Sequence, residues 1–134
     1  MPRQSLFAAA TLAALLAGGA ADGDPLAAHQ WRSRVLVLSA PGAEDKTLRA
    51  QREALASART GLRERDLVVL EAVGSSADAV RLRRRLGLSA EAFHAVLVGK
   101  DGGVKLSSQE PIPPQTLFST IDAMPMRRDE MRRR

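Results

Sequence analysis

Val35–Lys46 reads VLVLSAPGAEDK. Its first five residues, Val35–Ser39, are a continuous apolar run of strand length and β-branched content. That is the pattern of a strand buried on both faces. Ala40-Pro41-Gly42 breaks the run. Glu44 or Asp45 can then cap a helix from about Lys46 to Thr60. Leu48, Leu55 and Leu62 recur every seven residues, with Ala54 and Ala58 beside them, so the helix carries one apolar stripe. A buried strand feeding an amphipathic helix is the first half of a βαβ crossover, which is right-handed by rule.

The rest of the chain follows outward from this unit. Gly61 is a natural helix stop. Leu67–Val73 (LVVLEAV) is the second strand, ended by Gly74. Ser75 or Ser76 caps a short helix, Ala77–Leu86, that stops at Gly87. Phe93–Gly99 is the third strand and Val104–Ser108 the fourth. The turn between them, Lys100–Gly103 (KDGG), holds an Asp-Gly pair that tolerates positive φ. Pro113 and Pro114 start a last helix whose buried face is Leu117, Phe118, Ile121 and Met124, and Pro125 ends it. The order β-α-β-α-β-β-α predicts an α/β fold: a four-stranded mixed sheet with helices on both faces and an antiparallel edge.

The N-terminus has a different character. Residues 1–21 place one cation, Arg3, before the uncharged run Leu6–Ala17 and the small residues Gly18–Ala21. That is the pattern of a secretory signal peptide, with cleavage expected after Ala20 or Ala21. The run is shorter than the roughly 20 residues of a spanning helix, so no stable membrane span is expected once it is cut. No Arg-Arg pair precedes it, which favours the general secretory route. The expected location is the periplasm or beyond. Residues 22–30 are a lead-in to the domain.

Composition excludes several chemistries. The chain has 134 residues, 45% hydrophobic and 26% charged, in the globular range. It has no cysteine, so disulfides, thiol catalysis and cysteine metal sites are ruled out. The charge of +5 comes from 20 Lys and Arg against 15 Asp and Glu. Much of it sits in the Arg-rich tail, residues 127–134 (RRDEMRRR). Nucleic acid is a poor partner for so local a charge, because only Trp31, Phe93 and Phe118 follow the leader as aromatics. Anionic lipid head groups or envelope polymers would suit it better. Equally, Asp129 and Glu130 can pair with the tail arginines and dock it as a helix.

Chemical groups are sparse. The helix start after Ala40 attracts anions in principle, but Glu44 and Asp45 already occupy it, and their expected role is capping. Lys46 is the one candidate amine there. His29 and His94 have no HxxxH or HxH spacing, so no metal or cofactor is implied. His94 reads as a half-buried structural residue. No GxSxG motif orders a nucleophilic serine. Arg81, Arg83, Arg84 and Arg85 spread around one short helix and read as a solvated outer face.

The element order resembles the minimal thioredoxin fold. Val35–Leu38 leads to Ala40-Pro41, and Ala43 and Lys46 stand where that family's two cysteines would stand. Phe93–Leu106 (FHAVLVGKDGGVKL) is similar to the strand–turn–strand of peroxiredoxins. Glu91–His94 holds no proline, a departure from the thioredoxin pattern. A closer resemblance is to exported bacterial proteins defined only by a domain of unknown function. Related domains occur in animal equarin and sushi-repeat (SRPX) proteins, for which a peroxiredoxin-like fold has been proposed. The matching residues are Trp31-Arg32-x-Arg34-Val35, Gln51-Arg52, Gly61-Leu62-x-Glu64-Arg65-Asp66, Gly99–Lys105 and Ile121–Arg127. The resemblance implies a thioredoxin-like domain over residues 31–126 and no established reaction. The resulting expectation is a redox-inactive binding module, not an enzyme. Its partner would be a protein or an anionic envelope component. Contact would run through the groove near Lys46 or through Met126, Arg127 and Arg128. The alternative is a thiol-independent enzyme using Lys46, His94 or an acid–Arg constellation on the same fold.

Overall fold

The computed structural model describes residues 23–133. The leader segment, with Ala20 and Ala21, lies outside the described residues. The elements are β1 (Arg34–Ala40), α1 (Lys46–Ala56), α2 (Arg59–Glu64), β2 (Leu67–Val73), α3 (Ala77–Leu86), β3 (His94–Val98), β4 (Val104–Ser108), α4 (Pro114–Asp122) and α5 (Pro125–Arg132). They build one mixed sheet in the order β2-β1-β3-β4. β1 runs parallel to β2 and antiparallel to β3, and β3 and β4 form the antiparallel edge.

The alternation of side chains across β1 divides the core in two. Leu36, Leu38 and Ala40 face α1, α2 and α4, where they meet Leu48, Leu55, Leu62, Leu117 and Ile121. Val35 and Val37 face α3 and meet Ala79 and Leu82, with Leu26 of the lead-in covering the same side. Both sheet faces are thus covered by helices, as the unbroken apolar run requires. The four-stranded mixed sheet and its two helical layers match the expectation and are compatible with a thioredoxin-like arrangement.

Local signals explain most boundaries. Asp45 caps α1, accepting from the Leu48 amide at 2.9 Å, and Ser76 caps α3, accepting from the Ala79 amide at 3.1 Å. Gly87 closes α3 at φ 68° and Gly102 turns the β3–β4 hairpin at φ 87°. Gln51, fully buried on α1, binds Ile112 twice: its amide donates to the carbonyl at 2.9 Å and its carbonyl accepts the amide at 2.7 Å. That pair fixes the chain entering α4.

Two boundaries differ from the sequence expectation. The single helix expected from Lys46 breaks at Ser57-Ala58, and Gly61 lies inside α2 instead of ending a helix. A Cβ at Gly61 would lie 2.5 Å from the Phe118 ring, so glycine there permits close approach of α2 to α4. Pro125 starts a helix instead of only ending one, because its missing N–H costs nothing at a first helical position. The tail is therefore not a loose appendix: α5 runs continuously across the boundary expected at 126/127.

Candidate functional site

The strand register defines two ends of the molecule. At the carboxyl end of β1, Ser39 pairs with His94 and Ala40 with Val73. At the amino end, Arg34 pairs with Leu67 and Val35 with Val98.

The carboxyl end is closed by internal bonds. Lys46 is exposed in the first turn of α1, beside the Asp45 cap. Arg83 of α3 is buried and is not part of a solvated face. Its Nε donates to Ser39 Oγ at 3.0 Å, and its Nη2 donates to the Ala40 and Ala72 carbonyls at 3.2 and 3.0 Å. The guanidinium thereby satisfies the strand ends from below. Its neighbours differ: Arg81 pairs with Asp78, Arg85 with Asp24 at 3.0 Å, and Arg84 is exposed. His94 is half-buried, and its Nε2 has no hydrogen-bond partner. Among the described residues no group of three His, Cys, Asp or Glu gathers at metal-binding spacing.

The amino end is built from charge. Arg34, 1% exposed, makes a two-pronged bond to Glu130 of α5: Nη1 to Oε1 at 3.2 Å and Nη2 to Oε2 at 3.1 Å. Its Nη1 also donates to the Arg65 carbonyl at 2.8 Å. Lys100, also buried, donates to Glu130 at 2.8 Å and to Asp66 at 2.9 Å. Asp122 is a second bridging carboxylate. It receives Arg65 at 3.0 and 2.9 Å and Arg127 at 3.0 Å. Arg65 also lies 4.1 Å over the Phe118 ring. Two carboxylates thus hold four cations, drawn from strand, turns and the last helix. Fork-shaped arginines favour such paired geometry.

The carboxylates register their surroundings. Burial opposes ionisation of Glu130, but hydrogen bonds from Arg34 and Lys100 outweigh it and hold the carboxyl below its usual range. Asp122 is held low chiefly by the Arg65 hydrogen bond, against burial and with help from Arg127.

On this frame sits an apolar pocket of about 290 Å³. Trp31, Gly99, Lys105, Met124, Pro125 and Met126 line it. Trp31 has φ 67°, a strained value for a bulky residue, and its amide donates to the Lys100 carbonyl at 2.6 Å. Its backbone is therefore held while its side chain stays 62% exposed. Met126, also exposed, lines the same pocket.

Charge separates the two ends. Around the amino end, residues 31–34, 63–66, 100–105 and 122–133 hold ten Lys and Arg against six Asp and Glu, net +4. Around the carboxyl end, residues 39–46, 73–78, 91–94 and 108–113 with the inward-reaching Arg81 and Arg83 hold three Lys and Arg against Glu44, Asp45, Asp78, Glu91 and Glu110, net −2.

The structure sorts the sequence candidates accordingly. Met126 lines the pocket, and Arg128 is exposed nearby on the same helix. Arg127 is buried, donating to Asp122 and to the Glu64 carbonyl at 3.0 Å, so it anchors α5 from within. Lys46 lies at the other end. Trp31 was visible only as part of a family-like motif; its local signal was a lone Trp among polar residues just before the first strand.

The comparisons with known proteins agree with this geometry only at the level of family. A model described as "Domain of unknown function (DUF4174)" matches residues 25–130. Zebrafish (Danio rerio) "Coiled-coil domain-containing protein 80" is 32% identical over 133 residues, covering 79% of this chain and 15% of that protein. Human "Sushi repeat-containing protein SRPX" is 32% identical over 114 residues, covering 75% of this chain and 25% of that protein. The chain thus spans a quarter or less of these relatives. No solved structure matches. The matched span contains the whole sheet, both bridging carboxylates and the Trp31–Met126 pocket, and the chain belongs to the DUF4174 family.

Proposed function

We propose that this protein is an exported, redox-inactive binding module of the periplasm or cell envelope, built on a thioredoxin-like core. It holds its partner at the amino end of β1, not in the groove beside Lys46. One observation carries the reading: an exposed Trp31, its backbone pinned, lines an apolar pocket with Met126 on a buried ion-pair frame. Rigid support beneath an exposed aromatic is what a binding surface needs, since little ordering entropy remains to be lost on contact. The pattern of residues 1–21 supports export. The absence of cysteine supports a module without thiol chemistry, because no thiolate is present to attack peroxide or disulfide.

The test is a photo-crosslinking amino acid placed in the full chain at position 126 or at position 43, in the cells that make it. Adducts at 126 and few at 43 are expected. Adducts at 43 alone would return attention to the Lys46 groove. Purified protein should show no peroxidase or disulfide-reductase turnover. A substrate turned over at a rate that falls on Lys46→Ala or His94→Ala would replace this reading with a thiol-independent enzyme.

A further inference from the structure

We infer that the amino end of β1 is a reversible contact for an anionic lipid bilayer, with Trp31 entering the head-group layer. The inference rests on the binding-module reading and names the partner's chemistry.

The apolar and charged residues left on the surface carry the argument. Among the described residues, five large hydrophobic side chains are exposed: Trp31, Val80, Val104, Met126 and Met131. All but Val80 lie at this end: Trp31 before β1, Val104 at the start of β4, and both methionines on α5. Trp combines an apolar body with one N–H donor, which suits the boundary between acyl chains and head groups. The same end carries net +4 while the opposite end carries net −2, so a negatively charged surface would orient the molecule with Trp31 toward it. No described helix is long and apolar enough to cross a membrane, so the contact is peripheral.

The placement of the cations favours a lipid surface over an acidic protein segment. The cations that line the pocket, Arg34, Lys100 and Lys105, are each tied to a carboxylate: Glu130, Asp66 and Glu130, and Asp101. A peptide carboxylate entering the pocket would have to compete with those bonds. Among the described residues, the exposed cations at this end with no carboxylate contact are Arg32, Arg63, Arg128 and Arg133. Arg32 precedes β1, Arg63 is in the last turn of α2, and Arg128 and Arg133 lie on α5 and its C-cap; none of them lines the pocket. An extended negative surface does not need its cations to converge, whereas a single carboxylate does.

Trp31 is the only tryptophan of the chain, so its emission reports directly on this surface. The full chain is mixed with phosphatidylcholine vesicles, either pure or with roughly one-third phosphatidylglycerol. Binding is read by co-sedimentation and by Trp31 emission. With the anionic vesicles the protein should sediment and Trp31 emission should shift to the blue. Neither should occur with pure phosphatidylcholine, and both should vanish at about 0.5 M salt. Arg32→Gln, Arg128→Gln and Arg133→Gln should each weaken binding about fivefold. Thermal melts should not move, since no ion pair is broken. The variants keep residues 1–21, so that segment is constant throughout.

Three results would overturn the inference: no sedimentation at low salt, sedimentation with unmoved Trp31 emission, or glutamine variants that bind as well as the parent. An emission shift with polyglutamate but not with vesicles would also overturn it and make the surface a site for acidic protein. In each of these cases adducts at position 126 in cells would leave the binding-module reading standing. Absence of those adducts would remove that reading separately.

Discussion

The two ends of β1 solve the same problem in opposite ways. At the carboxyl end, the buried Arg83 meets the carbonyls of Ala40 and Ala72, and helix amides meet the caps Asp45 and Ser76, so neutral backbone groups are closed by one arginine and two caps. At the amino end, closure is by ion pairs: Arg34 reaches Glu130, 96 positions away, and Lys100 joins the same carboxylate. Buried ion pairs contribute little net stability against apolar replacements, because desolvation offsets their attraction. What they do here is hold geometry. α5 buries only Arg127 and leaves Met126 and Met131 exposed, so charge, more than apolar area, seats it. The lesson is that the end beside Lys46 is closed by bonds to backbone groups. The other end is held rigidly by costly contacts and still exposes Trp31.

The sharpest way to break the contrast is to remove the shared carboxylate. Glu130→Ala leaves Arg34 and Lys100 buried beside one remaining acid, and should cost about 3–5 kcal/mol in a urea unfolding titration. A chain ending at Pro125 should lose at least as much, because it discards the same carboxylate together with Arg127. Lowering pH probes the same groups without mutation. Glu130 and Asp122 ionise more readily in the folded state than in the unfolded state. Their contribution is therefore complete above the ordinary glutamate value of 4.5 and is lost as pH falls below it through the depressed folded values. Glu130→Gln should flatten that part of the stability–pH curve, and an unchanged acid profile would deny the bridging role.

Smaller effects are expected elsewhere. Gly61→Ala pushes a methyl group into the Phe118 ring and should destabilise by about 1–3 kcal/mol, read from the same titration. Asp45→Ala removes one cap at the carboxyl end and should cost about 1 kcal/mol. Lys46→Ala should change stability by less than about 0.5 kcal/mol and leave envelope binding as it was. If Lys46→Ala abolished binding, the roles of the two ends would be reversed.

The sequence was most legible where the signals are local. β2, β4 and α3 fall on the expected residues, because Gly74, Ser76 and Gly87 mark their limits and β-branched runs fill the strands. The break at Ser57-Ala58 carries no Gly or Pro and was invisible. Gly61 was misread because a glycine that ends a helix and one that admits an aromatic ring look alike in one sequence. The candidate surface was harder still. Arg34 opens an apolar strand, and nothing near it announces burial; its partner arrives from α5. Met126 and Arg128 were picked out from the tail, but Arg127, chosen with them, turns inward to Asp122. Trp31 acquires meaning only when the β3–β4 turn and α5 fold against it.

The most direct test of the account is the emission of Trp31 when the full chain is mixed with an envelope fraction from its own cells. A saturable blue shift, diminished by Met126→Glu and indifferent to Lys46→Ala, is the predicted result. Retention of the protein by that fraction with Trp31 emission unmoved would contradict the account, because the contact would then lie away from the amino end of β1.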